Sequence, residues 1–384
     1  MRRGGVSAIR CVMATMVALY LGTVGVVLAA RQAPTEPTPE ISENVFKDVQ
    51  VLKGMPVDEF LDAMGMFANA LGYDCVSCHS PEIANVSTFD AFAIPTPLIQ
   101  RARQMVVMMN TINRTYFGGE QRVTCFTCHT SDNKPDTVAS LDLQYGPLVD
   151  DPYEIEFFPA FIAPPADEIF AAYFEALGGV DRLASVTSFL ATGTYAGYDT
   201  GQEDVSMEIL AKAPNKRSIV AQGPQGLSVW KTDGVGAWKM QPSTPLPVVP
   251  MTGGNLVGAR VDAMMSFPTG IQAAYADWQV GFGEIDGRRM TVAHGTKEGE
   301  TPLALYFDES GLLARLIRWN VTGVGPVPTR LDFADYREVA GVGVQMPFSW
   351  TITWTGGEVR IALTDVQANV EIDDAQFARP VPAQ

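Results

Sequence analysis

The spacing of hydrophobic and polar residues is helical in the first part of the chain. From Phe46 to about Gly146, apolar residues recur every three or four positions, as on one face of an α-helix. The first predicted helix opens at Pro56, and a single apolar stripe follows it: Phe60, Met64, Phe67 and Leu71. The second runs from about Pro97 to Tyr116, and one side of it carries Arg101, Met105, Met108, Met109 and Ile112. The pattern predicts an all-α domain over residues 46–146.

Farther along the chain the period of the pattern becomes two. A short amphipathic helix is predicted from Asp167 to Leu177, and a second near Leu256 to Met265. Alternating runs such as Val205–Leu210, Ala304–Phe307 and Val359–Leu363 are divided by the turn pairs Asp233-Gly234, Asp286-Gly287 and Gly356-Gly357. Residues 166–384 are therefore predicted to form a mainly antiparallel β domain with one or two helices.

The remaining segments fit neither period. Residues 31–45 are proline-rich and predict a tether, and residues 147–165 contain several prolines and predict an interdomain linker. In residues 1–30, three arginines precede an uncharged run from Cys11 to Ala30, which is the layout of a secretory signal. The run is also long enough for an uncleaved membrane anchor. In either case we expect an exported, for example periplasmic, protein that is soluble after cleavage or tethered at its N-terminus.

Composition narrows the classes of partner. With 47% hydrophobic residues, the chain can bury substantial cores. A formal net charge of −16 argues against nucleic acid as a partner, because the phosphate backbone is itself negative. The same charge favours encounter with a basic redox protein.

Two five-residue segments carry most of the candidate chemistry. Cys75–His79 and Cys125–His129 hold four of the five cysteines and two of the three histidines. Each is a Cys-x-x-Cys-His run, the spacing at which two thiols bind the vinyl groups of a haem while the imidazole binds the iron. The chain is therefore predicted to hold two covalently bound haem c groups. The expected thioether residues and proximal ligands are Cys75, Cys78 and His79 in the first segment and Cys125, Cys128 and His129 in the second.

Other uses of the two cysteine pairs explain the histidines less well. A four-cysteine zinc site does not require a histidine directly after each pair. Disulfides or a thioredoxin-like redox site need no histidine, and such redox sites usually follow a strand and begin a helix. Haem attachment is the interpretation that uses all six residues.

The ligand on the far side of each iron separates an electron carrier from an enzyme. For the first haem, Met64 lies on the apolar stripe and Met66 points to nearly the opposite side of the helix, so Met64 is favoured. On the second helix Met105, Met108 and Met109 share one face, and spacing alone does not choose among them. Methionine ligation predicts an electron-transfer protein. The alternative is a dihaem peroxidase or reductase in which one iron is five-coordinate.

Several segments resemble the cytochrome c subunit of photosynthetic reaction centres. They are Val49–Gly54, the helix that places Met64 eleven residues before Cys75, Ala102–Met105, Ile112-Asn113 and Val123–His129. The resemblance covers about residues 46–146 and implies an axial methionine on the helix before each motif: Met64 for the first haem and Met105 for the second. The family has four attachment motifs and this chain has two, so the resemblance implies a free-standing dihaem relative.

The second half is similar to the lipoprotein-carrier half-barrel proteins. The similarity consists of a helix followed by strands with Asp-Gly turns, and of Trp238 after Asp233-Gly234. It implies a curved sheet with a concave apolar face and an apolar or lipid-like ligand. A third hypothesis is therefore a lipid-like ligand-binding protein with a haem redox module.

Overall fold

The computed structural model describes residues 38–84, 89–139, 141, 155–158, 162–242 and 244–382. The predicted signal or anchor of residues 1–30 lies outside these residues, as do parts of the tether and of the linker. By its contacts the chain divides into Met1–Thr35 and Glu36–Gln384, and the second unit is the one described below. None of the helices in the described ranges is both long and apolar enough to cross a bilayer.

The N-terminal part of this unit is helical, as predicted. Its helices are α1 (Ser42–Val45), α2 (Val57–Leu71), α3 (Cys75–Cys78), α4 (Pro97–Tyr116) and α5 (Cys125–His129). Short 3₁₀ turns lie at Pro81–Ala84 and Phe89–Ala93. α2 ends because Gly72 adopts a left-handed conformation with φ of 63°. α4 begins after Thr96, whose hydroxyl accepts a hydrogen bond from the amide of Ile99.

The C-terminal part is a large antiparallel sheet, which confirms the predicted change of period. Within the described residues fourteen strands pair in the order β1-β8-β9-β10-β11-β12-β13-β14-β2-β3-β4-β5-β6-β7. Their bounds are β1 Glu156–Phe157, β2 Ser188–Ala196, β3 Val205–Lys212, β4 Lys216–Gly223, β5 Gly226–Thr232, β6 Ala237–Met240, β7 Val249–Pro250, β8 Asp277–Ile285, β9 Arg288–Thr296, β10 Leu303–Phe307, β11 Leu313–Thr322, β12 Gly325–Val339, β13 Val344–Trp354 and β14 Gly357–Ala368.

Helices accompany the sheet at the two predicted places and at one further place, the short helix Val180–Ser185. α6 (Ala166–Ala176) and α7 (Val180–Ser185) precede β2, and α8 (Gly253–Met264) lies between β7 and β8. Further 3₁₀ turns lie at Tyr198–Thr200, Pro268–Gly270, Gln272–Ala274 and Asp374–Phe377. β1 falls within the predicted linker and pairs with β8 at one edge of the sheet.

Two hydrophobic cores show how the elements pack. The larger covers one face of the sheet and takes in Phe170 and Tyr173 of α6 and Val261 of α8. The smaller lies between the N-terminal helices and the sheet, and its buried members are Leu52, Ala63, Met66, Val106, Met109, Val324 and Val327. The helical part and the sheet thus share a core, which is why Glu36–Gln384 forms one compact unit.

Buried polar groups also fasten α2 to the sheet side. Asp58 is 2% exposed, and its carboxylate accepts hydrogen bonds from the amide and the hydroxyl of Thr252, both at 2.7 Å. Asp62 accepts hydrogen bonds from the side-chain amides of Asn255 at 2.7 Å and Asn320 at 2.8 Å. Since Thr252 directly precedes α8, Asp58 satisfies an amide at the start of that helix. Burial raises the pKa of Asp62.

Candidate functional site

The first Cys-x-x-Cys-His segment is a single helical turn capped by the residue before it. The carboxylate of Asp74 accepts hydrogen bonds from the amide of Ser77 at 2.8 Å and from its hydroxyl at 2.6 Å. These bonds hold the pKa of Asp74 below its usual value. Cys75 is exposed and Cys78 is half-buried, and residues three apart on a helix lie on the same side. The cap therefore presents both thiols to one side of the turn.

The second segment is built in the same way from different residues. Thr124 and Thr127 form a reciprocal cap, in which each side-chain oxygen accepts a hydrogen bond from the other residue's amide, at 3.3 Å and 3.0 Å. Cys125 is half-buried and Cys128 is exposed. Burial raises the pKa of Cys125 to about 11 and also raises that of Cys78. The thiols of both segments are free.

Both histidines have one ring nitrogen engaged by the backbone. Nδ1 of His79 lies 2.9 Å from the carbonyl oxygen of Phe92, and Nδ1 of His129 lies 3.0 Å from that of Asp132. Because a carbonyl oxygen only accepts, each Nδ1 carries a proton and donates it, which leaves Nε2 for another partner. Burial lowers the pKa of His79, which favours its neutral form. A backbone acceptor on one nitrogen is the usual support for a histidine that binds metal through the other.

The donor set of each segment fits a c-type haem. Two free thiols three residues apart, with an imidazole directly after the second whose Nδ1 is engaged by the backbone, are what the two thioether bonds and the iron require. The zinc alternative needs the four thiols in one cluster. Within the described part of the chain, no group of three or more cysteine, histidine or carboxylate side chains is arranged to hold a metal ion.

The two sides of α2 lie in different surroundings. Its fully buried residues are Val57, Asp58, Ala63, Met66 and Ala70. The predicted apolar stripe is a different one, and each of its members, Phe60, Met64, Phe67 and Leu71, is only half-buried. Met66 is 4% exposed and belongs to the core shared with the sheet, whereas Met64 packs at the edge of that core. Met64 is the methionine of this helix that remains open to a partner group.

α4 separates its three candidate methionines. Met109 is 4% exposed and is part of the shared core. Met105 is half-buried and Met108 is 46% exposed. Helical periodicity places these two with Ile112 on one side, next to the buried face. This side of α4 thus carries apolar side chains that the shared core does not cover fully.

The sheet approaches the second segment. Gly325 at the start of β12 has φ of 145°, and a Cβ placed there would lie 3.0 Å from the Thr124 side chain. Cys125 packs against the core that contains Val324 and Val327. The amide of Ser131 donates to the carbonyl of Ala70 on α2 at 3.0 Å. The surroundings of this segment therefore include residues some 200 positions later in the chain, and no local pattern in the sequence signals them.

Two polar residues outside the motifs hold the segments in place, and sequence reasoning did not assign them this role. The hydroxyl of Thr96 donates to the carbonyl of Cys78 at 2.6 Å. The side chain of Asn113 forms hydrogen bonds with the backbone of Arg122 and Val123, just before the second segment. The sequence signals were a threonine at the capping position just before the predicted helix, and an asparagine within that helix.

A small cavity lies within the larger core. The cavity, of about 40 Å³, lies beside α6 and α7, lined by residues such as Tyr173, Leu183 and Phe267. Such a volume holds two or three water molecules. Sites for small molecules are far larger, at about 300–1,000 Å³.

Comparisons with known proteins bear on both halves of the chain. No curated protein sequence matches it. Among solved structures it is similar to a DUF1329 family protein from Desulfovibrio piger (13% identity, TM-score 0.39, covering 56% of this chain and 98% of that one). It is also similar to a LolA superfamily protein from Nitrosomonas europaea (14% identity, TM-score 0.36, covering 56% and 98%). Residues 15–144 match the family described as photosynthetic reaction centre cytochrome C subunit. This match confirms the predicted resemblance: the N-terminal part of the chain is similar to a family of haem-binding cytochrome c subunits.

Proposed function

We propose that this chain is an exported dihaem c-type cytochrome that transfers electrons between redox partners. One observation carries the proposal above the others. Both Cys-x-x-Cys-His segments hold a histidine whose Nδ1 donates to a backbone carbonyl, so that Nε2 is free for iron. The reaction-centre cytochrome match over residues 15–144 supports the same function.

Each residue then has a distinct role. Cys75 and Cys78 form the thioether bonds of the first haem and Cys125 and Cys128 those of the second, with His79 and His129 as proximal ligands. Met64 is the proposed distal ligand of the first haem and Met105 that of the second, with Met108 as its nearest alternative. A bound haem supplies one-electron chemistry, and a methionine ligand favours a relatively high potential.

The chain's own residues prepare the two sites. Phe60 and Phe67 flank Met64 on the half-buried stripe of α2, where they can exclude water from the face of a porphyrin. The backbone carbonyls of Phe92 and Asp132 fix the orientation of the two imidazoles. The protein thereby keeps the same ligands in both oxidation states, as an electron carrier requires.

Export and partners complete the proposal. Haem attachment of this kind takes place outside the cytoplasm, and the signal-like pattern of residues 1–30 agrees with export. A net charge of −16 favours a basic redox protein as partner. An apolar or lipid-like ligand of the β domain is the second candidate function, but the cavity of about 40 Å³ beside α6 and α7 gives it little support.

The test is the number of haems bound covalently. The intact mass of the exported protein after denaturation should show two haems. Cys78→Ala should weaken or abolish attachment at the first segment only, and Cys128→Ala at the second only. Val76→Ala, at an exposed position inside the first motif, is the matched control and should keep both haems. A wild-type protein with one haem or none would overturn the proposal, and carbon monoxide binding at both irons would favour the peroxidase or reductase alternative.

A further inference from the structure

Helix α4 is joined to the first attachment segment at its N-terminus. The hydroxyl of Thr96 accepts a hydrogen bond from the amide of Ile99 at 3.2 Å, which caps the helix. The same hydroxyl donates to the carbonyl oxygen of Cys78 at 2.6 Å. One side chain therefore both starts α4 and fixes the second thiol residue of the first segment against it.

The opposite end of α4 is joined to the second segment. Asn113 is 5% exposed, and its side-chain amide donates to the carbonyl of Val123 at 2.7 Å. Its carbonyl oxygen accepts hydrogen bonds from the amides of Val123 at 2.9 Å and Arg122 at 3.1 Å. Val123 directly precedes Thr124, the capping residue of α5. The Asn113 side chain thus both donates to and accepts from the backbone just before the second segment, as the peptide group of a neighbouring strand would.

Between these two residues α4 is a continuous helix from Pro97 to Tyr116. It contains no glycine, and its only proline is at the first position, where a helix tolerates it. At a rise of about 1.5 Å per residue, Thr96 and Asn113 are about 26 Å apart along the axis. A helix of this length without a kink is a stiff element.

We propose that α4 is a spacer that fixes the separation of the two haems, and that Thr96 and Asn113 are the positioning residues that fasten it. The inference rests on the proposed dihaem function and adds to it how the two sites are held apart. Because electron transfer slows steeply with distance, a fixed spacing gives one rate between the haems. Met105 lies in the middle of α4, so the proposed ligand of the second haem is on a helix bonded to the first segment.

The experiment compares two threonines of the same region in the full-length, haem-loaded protein. Thr96→Val removes the hydroxyl that joins α4 to Cys78. Thr111→Val is the matched control, because the Thr111 hydroxyl donates to the carbonyl of Val107 at 2.7 Å within the same helix and reaches neither segment. The readouts are haem content, the iron-to-iron distance distribution from pulsed electron paramagnetic resonance, and hydrogen exchange at the amide of His79, which donates to Cys75.

We expect Thr96→Val to keep two haems but to lose the single narrow distance distribution. Loss of one hydrogen bond should raise exchange at the His79 amide about fivefold. Thr96→Ser keeps the hydroxyl and should restore the wild-type values, and Thr111→Val should leave them unchanged. Asn113→Asp keeps the hydrogen-bond acceptor but loses the donor to Val123. It should also broaden the iron-to-iron distance distribution, because it loosens the C-terminal end of α4.

Three results would contradict the proposal that α4 is a spacer. The first is an unchanged iron-to-iron distance distribution in Thr96→Val, and the second is equal broadening in Thr111→Val. The third is loss of a haem in Thr96→Val, because the Thr96 hydroxyl would then be needed for haem attachment and not for spacing. A wild-type protein without two haems would instead refute the proposed function, so the two failures are distinguishable.

Discussion

α2 and α4 have the same predicted role and different structural support. Each precedes a Cys-x-x-Cys-His segment and carries a candidate axial methionine. α2 is fastened along its length to the sheet side, through Asp58, Asp62 and Met66. α4 is fastened at its ends to the attachment segments, through Thr96 and Asn113. Two helices with similar local sequence patterns thus depend on different parts of the chain.

The difference is that α2 is positioned by the side turned away from Met64, its proposed ligand, whereas α4 is positioned at its two ends. On α2 the buried side meets residues 190 or more positions later, such as Thr252 and Asn320. On α4 the polar fastenings involve residues fewer than 20 positions away. Changes in the sheet should therefore act on the first haem's distal ligand more than on the fastening of α4.

The largest effect is expected from removing the sheet. A chain ending at Gly146 would leave the buried side of α2, including Met66 and Asp58, without its packing partners. Deleting one core side chain costs about 2–5 kcal/mol, and losing a whole opposing surface is comparable to the total stability of a domain. We expect this fragment to lose cooperative thermal unfolding, measured by circular dichroism.

The same fragment tests the division into domains at 46–146, 147–165 and 166–384. If it melts like the full chain and keeps the spectrum of both haems, the helical part is an independent domain and the sheet contacts of α2 are dispensable.

The next effect separates two methionines on α2. Met66→Ala should lower the free energy of unfolding by about 2–5 kcal/mol, since Met66 lies in the shared core. Met64→Ala should cost less stability but abolish the sulfur-to-iron absorption band of the first haem and open that iron to carbon monoxide. Urea unfolding and optical spectra measure the two outcomes. If Met66→Ala abolished the absorption band and Met64→Ala caused the larger loss of stability, Met66 would be the ligand.

The corresponding contrast on α4 resolves a choice that the sequence left open. Met109→Ala should mainly reduce stability because Met109 is buried in the same core. Met105→Ala should abolish the band of the second haem, and Met108→Ala, at an exposed position, is its control. Loss of the band in Met108→Ala but not in Met105→Ala would transfer the ligand role to Met108.

A smaller effect is expected at the polar junction of α2 and α8. Asp58→Ala leaves the amide of Thr252 without its acceptor, while the Thr252 hydroxyl keeps only the Glu59 carboxylate at 3.2 Å, and this should cost about 1–3 kcal/mol in unfolding free energy. Asp90→Ala is the control, because Asp90 forms an exposed ion pair with Lys47, of the kind that contributes about 0–1 kcal/mol. If Asp58→Ala and Asp90→Ala lost equal amounts of unfolding free energy, the junction of α2 and α8 would not contribute more to stability than an exposed ion pair.

The smallest effect concerns the pH dependence of stability. Burial, and then the charge of Asp58, raises the pKa of Glu59. The folded protein therefore binds a proton at Glu59 more readily than the unfolded chain does. Above the pKa of Glu59 in the folded protein, the ionised carboxylate destabilises the fold. This destabilisation disappears as the pH falls below about 4.5, where the carboxyl group is protonated in both states. Glu59→Gln should raise the urea midpoint at pH 7 and leave it unchanged at pH 4. The same change at exposed Glu82 is the control, and a gain that persists at pH 4 would contradict the explanation.

Local patterns in the sequence determined the elements and the candidate chemistry. The helices around Met64 and Met105, and the strands after Gly179, follow from residue spacing, because the period of apolar positions reflects the geometry of the element itself. The attachment segments are equally local, since two thiols and an imidazole within five residues need only one helical turn to converge.

The tertiary structure decided which side of each helix is buried. The residues that α2 buries fully include Ala63, Met66 and Ala70, whereas the predicted stripe of Phe60, Met64, Phe67 and Leu71 is half-buried. The neighbours of α2 lie far along the chain: Met66 shares a core with Val324 and Val327, and a Cβ on Gly65 would lie 3.0 Å from the Thr355 hydroxyl in the β13–β14 turn. Spacing within a helix cannot reveal a neighbour that lies almost 300 residues later in the chain.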